Sequence, residues 1–206
     1  MLIFKDKLPI NNRNAIVSKI NAVANNLGID PNWLMAVINF ETAGTFSTTI
    51  QNPYSNATGL IQFMPSTAYH LGSSIERLKQ MSFIEQLDVV EKYYRPLKSK
   101  IKSFVDLYLA TFFPVAIGKA DNWVLQTSTI SAKKIADQNP AFNVGGQVTV
   151  GSIKKALLAK IPAQYLSYLV TTKTGSILLF SVASVIAYFI YKEYKKQADD
   201  RGSKKK

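Results

Sequence analysis

Residues 57–68 read ATGLIQFMPSTA and set one primary amide, Gln62, inside the apolar run 60–64. Burying an amide among Leu, Ile, Phe and Met is unfavourable unless something hydrogen-bonds to it. Gly59 opens the run, Pro65 closes it, and Ser-Thr-Ala follows as the start of a helix. The stretch therefore requires a partner for Gln62, and the residues around it narrow what that partner is.

Upstream, Asp30 is suited to cap a helix with Pro31 at its first position, opening WLMAVINFETAG. On that helix Leu34, Val37, Ile38 and Glu41 fall at i, i+3, i+4 and i+7, so Glu41 shares the face that packs inward. It also sits in the last turn, where the negative end of the helix disfavours a second negative charge. Burial and the helix end both push a carboxyl pKa upward. A carboxyl still protonated near neutral pH is what a general acid acting on a glycosidic oxygen needs.

The rest of the chain to about residue 160 reads as mostly helical. Asn11 and Asn12 precede a helix with Ile16, Ile20, Val23 and Leu27 on one face, and Gly28 stops it. Ser82 and Glu85 have capping-box spacing ahead of a helix carrying Leu87, Val90 and Tyr94, which ends near Pro96. Residues 104–113 form another apolar helix before Pro114. Gly145-Gly146 marks a turn before a short extended piece at 148–150, and 152–161 is helical up to Pro162.

Composition sets further bounds. Cysteine is absent, and the sole histidine, His70, has no nucleophile near it to activate. The formal charge is +12, which favours acidic polymers as partners. Lys98, Lys100 and Lys102 form one basic cluster, and Lys133-Lys134 and Lys154-Lys155 form others, but no nucleic-acid recognition motif accompanies them. Nucleic acid is therefore not an expected partner.

The run 174–191, TGSILLFSVASVIAYFIY, is uncharged and mostly apolar. As a helix it would reach about 27 Å, close to the thickness of a bilayer's hydrocarbon core. After it, residues 192–206 carry seven Lys/Arg against three Asp/Glu. The expected organisation is a helical domain over 1–160, a juxtamembrane connector over 161–173, one transmembrane helix over 174–191 and a basic tail over 192–206. No long apolar signal segment opens the chain at MLIFKDKLPINNRN.

Four segments, in order, carry a family resemblance: NFETAGTF at 39–46, GLIQFMPSTA at 59–68, SFIEQLDVVEKYYRP at 82–96 and DLYLATFFP at 106–114. The pairing of Glu41-Thr42 with Gly59-Leu60-Ile61-Gln62 resembles the Glu-Ser and Gly-Leu-Met-Gln motifs of the soluble lytic transglycosylase and goose-type lysozyme family. The similarity is stronger to its phage-associated branch, whose segments look like SFESGF, GLIQFMPATA, SPxEQLDYVExYLRP and DLYLAxxxP. It covers roughly residues 30–155 and implies a lysozyme-like, mostly α fold.

The resemblance also implies roles. Glu41 matches the catalytic glutamate, acting as general acid and then general base. Gln62 matches the glutamine lining the glycan cleft, bonded to sugar or to backbone beside it. Gly59 permits close backbone approach, Leu60 and Phe63 back the cleft, and Thr42 replaces the usual serine while keeping a hydroxyl. Many relatives carry an Ala-x-Tyr-Asn-type motif where this chain has Ala110-Thr111-Phe112-Phe113-Pro114. Tyr108, Tyr93 or Tyr94 would have to stand in for it, and Tyr108 is taken as the substrate-binding candidate. Where the phage branch often has a calcium-loop-like segment, residues 142–150 hold no carboxylate, so no metal and no cofactor are expected.

A second carboxylate, as two-carboxylate glycosidases use, would have to be Glu76, Glu85, Asp88 or Asp106, and a helix cap or solvated face accounts for each. The expected activity is cleavage of the MurNAc–GlcNAc bond of peptidoglycan glycan strands, with 1,6-anhydro-MurNAc ends. The expected setting is the membrane of a phage virion, beside other virion proteins, with local wall opening during genome delivery. The alternatives are a hydrolytic lysozyme of the same fold, a non-catalytic glycan-binding or structural virion protein, and a bacterial inner-membrane enzyme with its domain in the periplasm.

Overall fold

The computed structural model describes residues 1–169. These form eight α-helices joined by short turns and 3₁₀ segments. Helix α1 spans Arg13–Leu27 and buries Ile16, Ile20, Val23, Ala24 and Leu27. Its stop is Gly28, whose φ of 70° closes the helix in the left-handed region that glycine reaches without strain. Helix α2, Pro31–Glu41, is the axis of the domain. Asp30 caps it by accepting from the Asn32 amide at 2.8 Å. Leu34, Met35, Ala36, Val37 and Ile38 all lie at 0% exposure, so this helix is buried nearly all round.

Short helices α3 (Pro65–His70) and α4 (Ile75–Gln80) lead to α5, Phe83–Tyr94. The Ser82/Glu85 capping box is formed: the Glu85 amide donates to the Ser82 hydroxyl at 3.3 Å, and the Ser82 amide to the Glu85 carboxylate at 2.8 Å. Helix α5 packs along α1. Helix α6, Phe104–Phe112, packs along α2, which also contacts α1. Helices α7 (Ala132–Gln138) and α8 (Val150–Ala159) complete the domain. The last helix starts two residues earlier than its apolar pattern suggests, because Thr149 and Ser152 form a second capping box.

Extended structure among the described residues is limited to isolated bridges, at Gln51–Thr58, Thr58–Phe63, Val124–Thr149 and Val144–Gln147. One hydrophobic core runs through the domain and gathers both ends of the described chain. At the start, Ile3, Phe4 and Leu8 are buried, and the Ile3 amide donates to the Asn32 side chain at 2.9 Å. Beyond residue 160, Leu166 and Leu169 are buried and Tyr165 meets Phe4 edge to face at 5.0 Å.

The expected fold class needs one correction. The mostly helical architecture is present, but among the described residues no helix is long and apolar enough to cross a membrane. The longest, α1, has 15 residues and keeps a polar face to solvent. Each shorter helix spends its apolar residues on the domain's own core. The run 174–191, the tail 192–206 and the connector's last residues, on which the expected transmembrane helix falls, lie outside the described residues, and those described contain no such helix.

Candidate active site

Helix α2 ends at Glu41 in a Schellman turn: the Gly44 amide donates to the Asn39 carbonyl at 2.7 Å and the Ala43 amide to the Phe40 carbonyl at 3.2 Å. The left-handed residue of this turn is Ala43, at φ 48°, where glycine is the usual occupant. Thr42 fixes the exit. Its hydroxyl donates to the Ile38 carbonyl at 2.7 Å and accepts from the Phe46 amide at 3.0 Å. At 0% exposure with both roles taken, Thr42 shapes the loop after Glu41 and offers nothing to a ligand.

Glu41 itself is half-buried, and its carboxyl has no hydrogen bond or ion pair among the described residues. Burial pushes its pKa from 4.5 up to about 8. The residue before it, Phe40, opens an aromatic cluster. Phe40 meets Tyr108 edge to face at 5.2 Å and stacks on Phe142 at 6.2 Å, while Phe112 lies against Phe142 at 5.3 Å. Tyr93, Tyr94 and Tyr108 all have pKa values raised by burial first and by the Glu41 charge in addition. Three phenols from α5 and α6 therefore lie within electrostatic reach of one carboxyl.

The loop holding Gln62 is a tight hairpin. Thr58 and Phe63 exchange backbone hydrogen bonds of 3.0 and 2.9 Å, with Gly59 at φ 82° and Gln62 itself at φ 52°. The partners required for the Gln62 amide are backbone: its Nε2 donates to the Gly59 carbonyl at 3.1 Å and the Ile50 carbonyl at 3.3 Å. Both partners only accept, which fixes which end of the amide is nitrogen. The Oε1 atom has no partner among the described residues, so the free end of Gln62 is an acceptor.

The hairpin is held in place by Gln86 on α5, at 0% exposure. Its Oε1 accepts from the Leu60 amide at 3.0 Å, and its Nε2 donates to the Thr48 and Leu78 carbonyls, each at 2.7 Å. Gly59 lies directly against it: a Cβ there would stand 2.5 Å from Gln86 Oε1. The glycine is thus demanded twice, by the positive φ and by the close approach of this amide.

Of the residues singled out from sequence, Gln62 and Phe63 line one small cleft, together with Ile61, Met64, Thr67, Tyr93 and Thr111. Tyr93 joins that cleft to the surroundings of Glu41. Its hydroxyl donates to the Ala110 carbonyl at 2.8 Å, and its ring meets Phe63 edge to face at 6.2 Å. Leu60 and Tyr108, at 0% and 3% exposure, are buried and not among the residues that line the cleft. Tyr94 is fully buried and shares a 2.6 Å hydrogen bond with Thr111, which leaves Tyr93 as the tyrosine on the cleft wall. Thr111 lines the cleft in the stretch where the Tyr-Asn-type motif is missing.

None of the candidate second carboxylates is placed with Glu41. Glu85 is the capping-box residue, its pKa lowered first by the Ser82 hydroxyl. Asp88 pairs with Lys19 on the surface. Asp106 accepts from the Ser103 hydroxyl and from the Lys102 and Gly118 amides. Glu76 lies in the first turn of α4, where backbone hydrogen bonding at that turn and the Ser74 hydroxyl lower its pKa. Among the described residues there is no cluster of three or more acidic or imidazole side chains suited to a metal ion. The arrangement supplies one protonatable carboxyl within electrostatic reach of three tyrosines, one of which, Tyr93, also lines a cleft with an amide acceptor.

Residues 18–92 match the Transglycosylase SLT domain, a segment that holds Glu41, Gly59, Gln62 and Gln86 and stops before α6. No curated protein matches the chain.

The raised pKa makes stability pH-dependent. Between the unfolded value near 4.5 and the folded value near 8, the folded state holds a proton that the unfolded state has released. The unfolding free energy therefore falls as pH rises through this window and levels off above it. Glu41→Gln removes the titrating group. In denaturant titrations the variant gains on wild type progressively from about pH 4.5 to about pH 8. A difference that stays constant across that range would contradict the burial of the carboxyl.

Proposed function

We propose that this chain, which belongs to the lytic transglycosylase family, breaks the MurNAc–GlcNAc β-1,4 bond of peptidoglycan with Glu41 as its only acid–base group. The observation that carries this reading is the Glu41 carboxyl, raised to about 8 by burial and, among the described residues, without a partner or a second carboxylate facing it. At neutral pH the group is mostly protonated and ready to donate. It gives its proton to the glycosidic oxygen as the C1–O bond breaks and GlcNAc O4 leaves as a hydroxyl.

The positive charge developing at C1 needs a nucleophilic or electrostatic partner, and the described residues offer no carboxylate for it. The N-acetyl carbonyl of the MurNAc ring can supply that stabilisation, as in substrate-assisted glycosidases. Glu41, now a carboxylate, takes the proton from the C6 hydroxyl, and the C6 oxygen closes on C1. The product is a 1,6-anhydro ring, no water is consumed, and Glu41 ends protonated as it began. The burial that raises the Glu41 pKa supports this outcome by limiting bulk water at the carboxyl. In this reading Gln62 Oε1, free of partners among the described residues, accepts from a sugar hydroxyl or amide N–H, and Tyr93 forms the adjoining wall.

The full chain incubated with purified peptidoglycan releases muropeptides one water lighter than hydrolysed ones, detected by mass. Glu41→Gln lowers that release by about 10²-fold or more. Reducing-end products of ordinary mass would convert the assignment to hydrolysis, and no release by wild type on several wall types would defeat both.

We also assign this activity to a phage particle that opens the wall locally during genome delivery. The support is the resemblance of four ordered segments to the phage-associated branch. Peptide mass analysis of purified particles recovers the chain under this assignment, and its absence from particles would refute it.

A further inference from the structure

The small cleft beside Gln62 holds polar atoms whose hydrogen-bonding roles are already fixed. Both amide hydrogens of Gln62 are spent on the Gly59 and Ile50 carbonyls, so its Oε1 can only accept. Among the described residues the buried polar atoms that lack a partner are the Trp33 indole nitrogen and the Ser73 hydroxyl. Gln62 Oε1, unpaired but not one of these, is therefore open to a ligand. Tyr93 has given its proton to the Ala110 carbonyl at 2.8 Å, so its oxygen too is left to accept.

Thr111, near the end of α6, supplies the opposite role. Its Oγ1 lies 2.6 Å from the Tyr94 hydroxyl, and one of the two must donate. Tyr94 is 0% exposed, and its hydroxyl has no other partner among the described residues. Were Thr111 the donor, the phenolic proton would be buried unpaired, which costs more than leaving a proton on a half-buried residue. Tyr94 is thus the donor. Among the described residues no backbone carbonyl takes the Thr111 proton, and Thr111 lines the cleft.

We propose that this cleft reads a secondary amide, with Gln62 Oε1 accepting its N–H and the Thr111 hydroxyl donating to its carbonyl. Thr111 is then a specificity-determining residue of the wall-cleaving site, and this assignment rests on the role proposed for Glu41. A trans amide directs its N–H and C=O to opposite sides. It therefore uses a fixed acceptor from the hairpin and a fixed donor from α6, whereas a sugar hydroxyl is satisfied by either alone. The cleft has room of about 40 Å³. A single water needs about 10–15 Å³, so the space suits a group of about four heavy atoms and not a ring. Ile61, Phe63 and Met64 give apolar wall to the carbon beside the amide. Two parts of peptidoglycan carry such amides: the acetamido groups of its sugars and the peptide bonds of its stems.

Binding is measured by NMR titration of the full chain carrying Glu41→Gln, so that no ligand is consumed. The probes are a β-1,4 tetramer of N-acetylglucosamine, the matching glucose tetramer with a hydroxyl at C2, and N-acetylalanine methylamide, an amide without a sugar. The acetamido tetramer is expected to bind about tenfold tighter than the glucose tetramer. Thr111→Ser keeps that preference. Thr111→Val removes the donor but strands the Tyr94 hydroxyl, so it is combined with Tyr94→Phe, which makes both members of the pair apolar and preserves the melting temperature. The double variant binds the two tetramers equally. Equal binding of the tetramers before that change, with methylamide binding that the double variant weakens, assigns the amide to the peptide stem. A tetramer preference unchanged in the double variant, or no preference together with no methylamide binding, would overturn the proposal. Either result with wall cleavage by the wild-type chain intact strikes only this cleft. A preference that is present without any wall cleavage strikes only the reading of Glu41.

Discussion

One buried side chain amide holds the site together. Gln86 spends its hydrogen-bonding capacity on three backbone groups, from the Leu60 turn, the Thr48 loop and the end of α4. Removing it would leave a buried amide N–H and two carbonyls without partners, at about 1–3 kcal/mol each. Because Gln86 fills the space above residue 59, only glycine fits there. Because the hairpin is fixed by those bonds, Gln62 can turn its nitrogen inward to Ile50 and Gly59 and leave its oxygen for a ligand. The cleft's polar end is therefore set from α5, not from within its own loop.

The other half of the site is a carboxyl deprived of partners. The sequence puts Glu41 on the inward face of α2 and ends the helix there, and Tyr93, Tyr94 and Tyr108 lie within reach of its charge. Among the described residues nothing cationic compensates it, and burial drives its pKa to about 8. Strained backbone gathers nearby: Ala43, Phe46 and Gln62 all have positive φ without being glycine. Such conformations persist only where surrounding bonds enforce them. Here Thr42 and the Thr58–Phe63 pair do so, and together they keep the acid and the amide in register.

Much of this was legible in the residues. Apolar spacing located α1, α2, α5 and α6, and Asp30, Ser82 and Gly28 marked their ends, because local capping chemistry decides those boundaries. The inward position of Glu41 and the direction of its pKa followed from four residues of helical spacing. Other features depended on long-range packing. Gln86 sits one turn from Phe83 and Val90 on a buried face, the same signal that drew attention to Gln62, yet its partners lie 26 and 38 residues away. Thr42, read as a ligand contact from its hydroxyl, is consumed by the turn at the end of α2. The short helices α4 and α7 escaped because six or seven residues carry too little periodicity. The apolar run 174–191 suggested a span by composition alone, and no described helix supplies one.

The central claim is that Glu41 is protonated near neutral pH because its carboxyl is buried without a partner. Carbon-detected NMR of the side-chain carboxyl, assigned by comparison with Glu41→Gln, reads this directly. The account predicts a titration midpoint near 8. A midpoint near 4.5, the ordinary carboxyl value, would contradict it.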